Sequence, residues 1–330
     1  MKVAIGLLAD PSAGGWPTFT AHLMHGFLDA GMKPLLFKVG NKTERNTRDF
    51  GRGFSYQNLS LTDAINVTRQ MPTFLAAVGP KHTEEASVLL QNNAAIIIHD
   101  PTEVTPVMRE ALSKSKQPII IDRKVNAQHL QEYDVAEILH PYKRNNSMSY
   151  RRKWHGVAYS RLDWDKKTHV IVEANTLLPA DKQIRIHGAE NRLYTHHKVA
   201  EIDADWKRNY EGGWPAKSSL WYGALLAARA KHVIDLSVIK GDGGGTQYSF
   251  LEAFDAGTPL IIHNDWLTGN PSLDEIAPAV AATVTGAEEL ANVLTETNIS
   301  NNTDAAETIL NNHNAALQAV TLMKHIGVNT

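Results

Sequence analysis

The stretch from Gly241 to Ile262, GDGGGTQYSFLEAFDAGTPLII, holds the residue types best suited to chemistry in this 330-residue chain. Gly243, Gly244 and Gly245 let backbone N–H groups approach a ligand, and the helix expected after them points its positive end at the same place. Phosphate is the natural guest. Glu252 falls about one and a half turns into that helix, where a carboxylate can accept from ribose hydroxyls while loop amides hold a diphosphate. Thr246 and Tyr248 offer further contacts to phosphate or sugar, with helix capping as the alternative for Thr246. Gly257 is placed to close the helix before a buried strand. For the glycines alone, a flexible loop with no ligand competes with this reading.

A second block, Ala158 to Lys167 (AYSRLDWDKK), sets Arg161 and Lys166 five residues apart. A planar guanidinium fork and a lysine point charge suit a diphosphate whose negative charge grows as a bond to it breaks. Charged loop residues are usually solvated. The order along the chain favours function, because the pair precedes the glutamate block by about 80 residues, across two β/α units. Lys167 is a neighbour able to take the same role. Between the blocks, Ile184 to Asn191 (IRIHGAEN) reads as a strand ending in a glycine turn, with His187 and Gly188 at its end; a structural histidine is an equal alternative. In the first half, Gly14 and Gly15 lie between an expected strand and helix, as ligand turn or plain tight turn. The strand AAIIIHD ends in His99 and Asp100, and residues at the carboxyl ends of strands in open α/β sheets project toward ligands. A histidine beside a carboxylate can take or relay a hydroxyl proton.

These motifs resemble the nucleotide-sugar signature of retaining glycosyltransferases of family four. The glycine loop, Leu251-Glu252-Ala253-Phe254 and Ala256-Gly257-Thr258-Pro259-Leu260-Ile261-Ile262 carry the resemblance, as does the spacing of Arg161 and Lys166. It implies an α/β protein of GT-B architecture, two Rossmann-like doubly wound domains facing a central cleft. It also implies Arg161 and Lys166 as leaving-group stabilisers, Glu252 on the ribose, His187 and Gly188 near the base, Gly14 and Gly15 beside the passing donor, and His99 and Asp100 beside the reacting sugar. The family has an acidic residue eight positions before the glutamate. Here Gly244 stands there, with Asp242 the nearest substitute. The implied donor is a nucleotide-diphosphate sugar, in the expected form a UDP-sugar. No tightly bound cofactor is expected, and a metal is not required where two cations and a helix terminus compensate the diphosphate.

The acceptor rests on charge distribution. Residues 143 to 153 contain Lys143, Arg144, Arg151, Arg152 and Lys153 without an acidic residue, and 38 to 52 adds Lys38, Lys42, Arg45, Arg48 and Arg52 against Glu44 and Asp49. Such a stripe can contact nucleic-acid phosphates, while Trp16, Tyr150 or Trp154 stack on an extruded base. In size, in the His-Asp strand end and in the Arg to Lys spacing, the chain resembles the retaining branch of phage DNA glucosyltransferases. That implies double-stranded DNA with hydroxymethylated pyrimidines as the favoured acceptor. The net charge of -2 supports the bland alternative of solvated basic faces. A cell-surface glycan or small hydroxyl compound is the competing acceptor, although the segment Trp16 to Gly31 lacks the lysines and arginines of a membrane-seeking helix. A GT-B epimerase shares the scaffold but gives less reason for the Arg161 and Lys166 block, and a two-lobed binding protein calls for an export signal.

The elements that must position these residues alternate. Strands are expected near 2 to 8, 34 to 38, 74 to 78, 94 to 99 and 118 to 122, separated by helix-compatible segments; Phe19, Leu23, Phe27 and Leu28 share one face of the first helix. A polar segment at 140 to 154 reads as a linker. The expected domains are 1–150, binding the acceptor, and 151–330, binding the nucleotide sugar, with the last helix packing back on the first domain. The second half repeats the alternation, with strands at 157 to 160, 184 to 187, 232 to 236 and 259 to 263 and helices at 166 to 178, 192 to 201 and 247 to 256. Thr285-x-x-Glu288 and Asp304-x-x-Glu307 read as capping boxes. There is no cysteine, so thiolate chemistry is excluded. No apolar run approaches the ~18 residues of a membrane span, and a cytoplasmic protein, in the host cytoplasm if phage-encoded, is the expectation. Oligomeric state is left open.

Overall fold

The computed structural model describes residues 1–9, 16–40, 46–99, 103–122, 129–145, 150–215, 218–238, 246–267, 276–295 and 299–329. The chain forms two compact units, Met1–Lys143 with Asn312–Thr330, and Arg144–Asn311.

The first unit contains β1 (Lys2–Leu7), α1 (Trp16–Asp29), β2 (Lys33–Val39), β3 (Thr47–Gly51), β4 (Phe54–Leu59), α2 (Leu61–Gln70), β5 (Thr73–Ala77), α3 (Thr83–Gln91), β6 (Ala95–Ile98), α4 (Pro106–Ser113), β7 (Ile119–Ile121), β8 (Val135–Glu137) and, from far along the chain, α12 (Ala315–His325). Its sheet runs β3-β4-β2-β1-β5-β6-β7-β8 and is parallel except for β3 against β4. Strand order reverses between β1 and β5, as in doubly wound folds. Every residue of β6 and β7 is buried, as expected of parallel strands covered on both faces. Full burial of one such isoleucine is worth roughly 1.5–3 kcal/mol.

Local sequence sets the helix ends. Ser60 accepts from the Asp63 N–H to start α2, and Thr105 accepts from the Met108 N–H with Pro106 at the first position of α4. In α1, Phe19, Leu23 and Phe27 are buried, but Leu28 is 47% exposed and belongs to the outer face. Helix α12 lies so close to α1 that a methyl group on Gly26 would come within 2.1 Å of the Ala315 carbonyl oxygen, so only glycine admits it.

The second unit contains β9 (Trp154–Tyr159), a 3-10 turn (Trp164–Lys166), α5 (Thr168–Leu177), β10 (Ile184–His187), α6 (Arg192–Tyr194), α7 (Ala200–Ile202), α8 (Tyr222–Ala228), β11 (Ala230–Asp235), α9 (Tyr248–Asp255), β12 (Leu260–His263), β13 (Ala282–Val284), α10 (Ala287–Thr295) and α11 (Thr303–Asn312). Its sheet, β10-β9-β11-β12-β13, is wholly parallel, with the reversal between β9 and β11. The single helix expected over 192 to 201 is divided: a π-turn, Thr195–Val199, separates α6 from α7.

Both expected capping boxes shift. Glu289, not Glu288, accepts from Thr285, at 2.7 Å from its N–H and 2.8 Å from its hydroxyl. At α11 the cap is Asn302, which accepts from the Ala305 N–H at 3.2 Å, while Asp304 sits in the first turn and Glu307 pairs with Arg144. Among the described residues no helix is long and apolar enough to cross a membrane.

Candidate functional site

The reversal between β9 and β11 brings together Tyr159, which ends β9, and Asp235, which ends β11. Crevices outside the carboxyl ends of strands at such a reversal are where open α/β sheets take ligands. Asp235 is buried, 7% exposed. Its Oδ1 accepts from the Ser237 N–H at 3.0 Å and, in a short bond, from the Ser237 hydroxyl; its Oδ2 accepts from the Ser249 hydroxyl in another short bond. Lys166, from the turn before α5, donates from Nζ to Ser237 Oγ at 2.8 Å. Ser249 belongs to the first turn of α9, and its carbonyl accepts from the Tyr159 hydroxyl at 3.2 Å.

Glu252 lies one turn further along α9 and is only 3% exposed. Its carboxylate also bonds the Tyr159 hydroxyl, whose pKa is driven well above the usual phenol value by burial, then by the charges of Glu252 and Asp235. Tyr159 therefore stays protonated and donates. On the other side the carboxylate rests against Gly223 of α8, where an added methyl would meet both oxygens at 2.2 and 2.3 Å.

Arg161 and Lys166 are not equivalent. The Arg161 side chain is 54% exposed, with Nε 3.1 Å from Asp163 and Nη2 3.1 Å from Asp165, so an incoming anion competes with two aspartates for it. Lys167 is drawn elsewhere, with Nζ 2.5 Å from His263 Nε2 and 3.8 Å from Asp265. This leaves Lys166 as the lysine directed to the end of β11. His187 is buried, 6% exposed, with its pKa lowered chiefly by that burial, which fits a neutral ring. Gly188 after it is fixed through its backbone, donating to Gly212 and accepting from the Tyr210 hydroxyl. Thr246 is half-buried, and the N-cap of α9 is Gln247 rather than Thr246.

The basic stretch needs correction at Arg144. Its guanidinium makes a paired contact with Glu307, 2.7 and 2.9 Å, and a third with Asp255 at 3.1 Å, so its fork is committed to carboxylates rather than offered to phosphate. Arg151 and Arg152 are exposed, Arg152 donating to the Gly257 carbonyl at 3.1 Å.

In the first unit, Lys143 is held by Asp29 at 2.6 Å, which likewise opposes a phosphate role, and Trp16 is half-buried at the start of α1. His99 ends up buried, 5% exposed, with Nδ1 2.6 Å from Asp122 Oδ2 and Nε2 2.6 Å from the Ala76 carbonyl oxygen. Its N–H donates to Glu103 at 2.8 Å, and His140 reaches the same Asp122 oxygen at 3.2 Å. Burial opposes charge on the ring, but Asp122, Glu103 and the Ala76 carbonyl outweigh it and raise the His99 pKa. Asp122 is likewise pushed up by burial yet held well below the usual carboxylate range by His99 and His140. Both ring nitrogens face acceptor oxygens within the unit, which weighs against the expected base or relay role. Gly14, Gly15, Asp100, Asp242, Gly244 and Gly245 lie outside the described residues.

Sequence reasoning missed Asp235, Ser237, Ser249, Tyr159 and Gly223. The one signal available was the Asp235-x-Ser237 pair just past an apolar strand.

No family model and no curated protein matches the sequence. Solved structures do resemble the fold. An alpha-glucosyltransferase in complex with UDP and a 13-mer DNA containing an HMU base matches with a TM-score of 0.71 at 11% identity, over 99% of this chain and 100% of that one. A TarM mutant from S. aureus, in complex with Fondaparinux, alpha-GlcNAc-glycerol and UDP, gives 0.68 at 11% identity over 99% and 100%. Anabaena HepE with UDP and glucose gives 0.65 at 13% identity over 98% of each chain. The fold of this chain is GT-B.

Proposed function

We propose that the protein is a retaining glycosyltransferase that moves a sugar from a UDP-sugar to a hydroxyl acceptor. The observation that carries the reading is Lys166, held on Ser237 beside the carboxyl ends of β9 and β11 with Glu252 on the adjoining helix. The bond from the anomeric carbon to the diphosphate oxygen breaks, giving an oxocarbenium-like sugar. The acceptor hydroxyl forms the new bond on the same face, its proton passing to a diphosphate oxygen as UDP departs. Lys166 and the exposed edge of Arg161 stabilise the departing diphosphate, where preorganised charge is worth most, and Glu252 meets the ribose. Several similar structures hold UDP, which supports the choice of donor.

Within that reading, hydroxymethylated pyrimidine in DNA is the favoured acceptor. The similar structure bound to HMU-containing DNA supports it, and Arg151 and Arg152 are exposed to contact phosphates; the ion pairs of Lys143 and Arg144 weigh against it. The rival is a glycan acceptor, supported by likeness to a lipopolysaccharide outer core galactosyltransferase with a TM-score of 0.64. The deciding experiment incubates the protein with a panel of nucleotide sugars and either hydroxymethylated DNA or free glycans, following mass shift and UDP release. A mass gain on DNA alone supports the favoured acceptor, and transfer to glycans alone removes it. Isomerised nucleotide sugar with no transfer would sink the glycosyltransferase reading.

A further inference from the structure

We infer that Asp235 is a positioning residue that aligns two parts of the donor site at once, the Lys166 ammonium through Ser237 and the first turn of α9 through Ser249. The inference rests on the donor site proposed above. Among the described residues three hydrogen bonds end on this one carboxylate, from Ser237 and Ser249. Ser237 stands between lysine and aspartate: its oxygen accepts from Lys166 Nζ while its own proton goes to Asp235.

That arrangement has an electrostatic consequence. Paired directly with Asp235, the ammonium would be neutralised by a buried carboxylate, and a diphosphate would have to break a charge-assisted bond to reach it. With a hydroxyl between them, Lys166 is oriented through a neutral acceptor and keeps donors for the incoming anion, since an ammonium has three N–H bonds. On the other arm, Ser249 lies three residues before Glu252 and so on the same face of α9. Its carbonyl accepts from the Tyr159 hydroxyl that also bonds Glu252. A single anchor at the end of β11 thereby sets the spacing between the diphosphate cation and the ribose carboxylate.

The test is a double-mutant cycle read by UDP affinity, using calorimetry on the full chain. Lys166→Ala should weaken UDP roughly thirty-fold and Ser237→Ala roughly ten-fold, from loss of a bond to a charged group and loss of its alignment. If Ser237 acts through Lys166, Ser237→Ala adds nothing further in the Lys166→Ala background. A merely structural serine would lower thermal stability but weaken UDP equally in both backgrounds, and that additive result overturns the inference. So does an unchanged affinity in Ser237→Ala. Should Ser237→Ala not fold, Asp235→Asn runs the cycle with a different reading: in the Lys166→Ala background only the weakening carried through Ser249 remains, so a smaller effect there than in wild type supports the inference and an equal effect overturns it. Unchanged UDP affinity in Lys166→Ala overturns the donor site itself, and the inference falls with it.

Discussion

Replacing Gly223 by alanine tests the packing of the glutamate directly. The new methyl would lie 2.2 and 2.3 Å from the Glu252 carboxylate oxygens, whereas unstrained heavy-atom contacts sit near ~3.5 Å, so the carboxylate must retreat by about 1 Å. A glutamate is flexible enough to do so. The penalty arises because Glu252 is 3% exposed and its carboxylate shares the Tyr159 hydroxyl proton with the Ser249 carbonyl; retreat gives up that bond, worth about 1.5–3 kcal/mol for a carboxylate acceptor. Against this, alanine is favoured over glycine inside a helix by about 1 kcal/mol. The net expectation is destabilisation of about 0.5–2 kcal/mol, a fall of a few degrees in Tm at roughly 2–4 °C per kcal/mol, together with weaker UDP binding. Differential scanning calorimetry and UDP titration read the two effects separately. In a Glu252→Ala background the clash is gone, so Gly223→Ala should raise Tm. If Gly223→Ala stabilises the wild-type protein as well, or the two substitutions add, the account of Glu252 is wrong.

Three further outcomes are expected. Lys166→Ala should reduce kcat for donor hydrolysis and transfer at least 100-fold, on the order of 2.7 kcal/mol or more of lost transition-state stabilisation, while leaving Tm within about 1 °C; near-normal turnover would remove its role. Arg144→Ala should destabilise by about 2 kcal/mol, less than the 3–5 of a fully buried pair because the Arg144 side chain is 30% exposed, though that of Asp255 is only 2% exposed. If DNA is the acceptor, Arg144→Ala should leave the salt slope of its binding unchanged, and a reduced slope would restore Arg144 to the phosphate contacts. His232 and His313 are buried with pKa values lowered from 6.5 to about 4, burial being the main cause. A depressed folded pKa stabilises above the unfolded value and loses that contribution as pH falls through the folded one, so both make Tm drop between pH 6.5 and 4. His99, with its raised pKa, works the other way, so the contribution is isolated by substitution: a Tm drop over that window as large in His232→Gln and His313→Gln as in wild type would contradict the assigned burial of the two histidines.

The βα alternation was legible because buried parallel strands are short apolar runs, AIII in β6 and III in β7 being plain cases. β3 and β4 were not, since TRDFG and FSYQNL are polar enough to pass for loop; β3 is an edge strand, β4 lies beside it, and most residues of both are exposed or half-buried. The capping boxes failed by one or two residues because several acidic or amide side chains compete for the same first-turn N–H groups, and only tertiary placement decides among them. In the site, Lys166 and Glu252 stood out through motif resemblance. Ser237 did not, because its partner lies 71 residues away and a lone serine has no spacing pattern. The surroundings of His99 were hidden for the same reason: Asp122 and Ala76 are each 23 residues distant, so the sequence shows a strand-end histidine without the partners that face both its nitrogens.

The return of the chain end to the first unit has a consequence for biosynthesis. Residues 312–330 complete that unit, with α12 seated on Gly26 of α1 and the Tyr142 backbone bonded to His313 and Ala315. Synthesis proceeds from the N-terminus, and domains generally fold as they emerge. Here the first unit to leave the ribosome is the last able to finish, because the whole second unit must be translated before α12 arrives. Until then the face of α1 carrying Gly26 is uncovered. A released chain truncated before Asn312 should hold a folded second unit and an incomplete first one, which makes this helix face the expected site of chaperone binding until α12 is available.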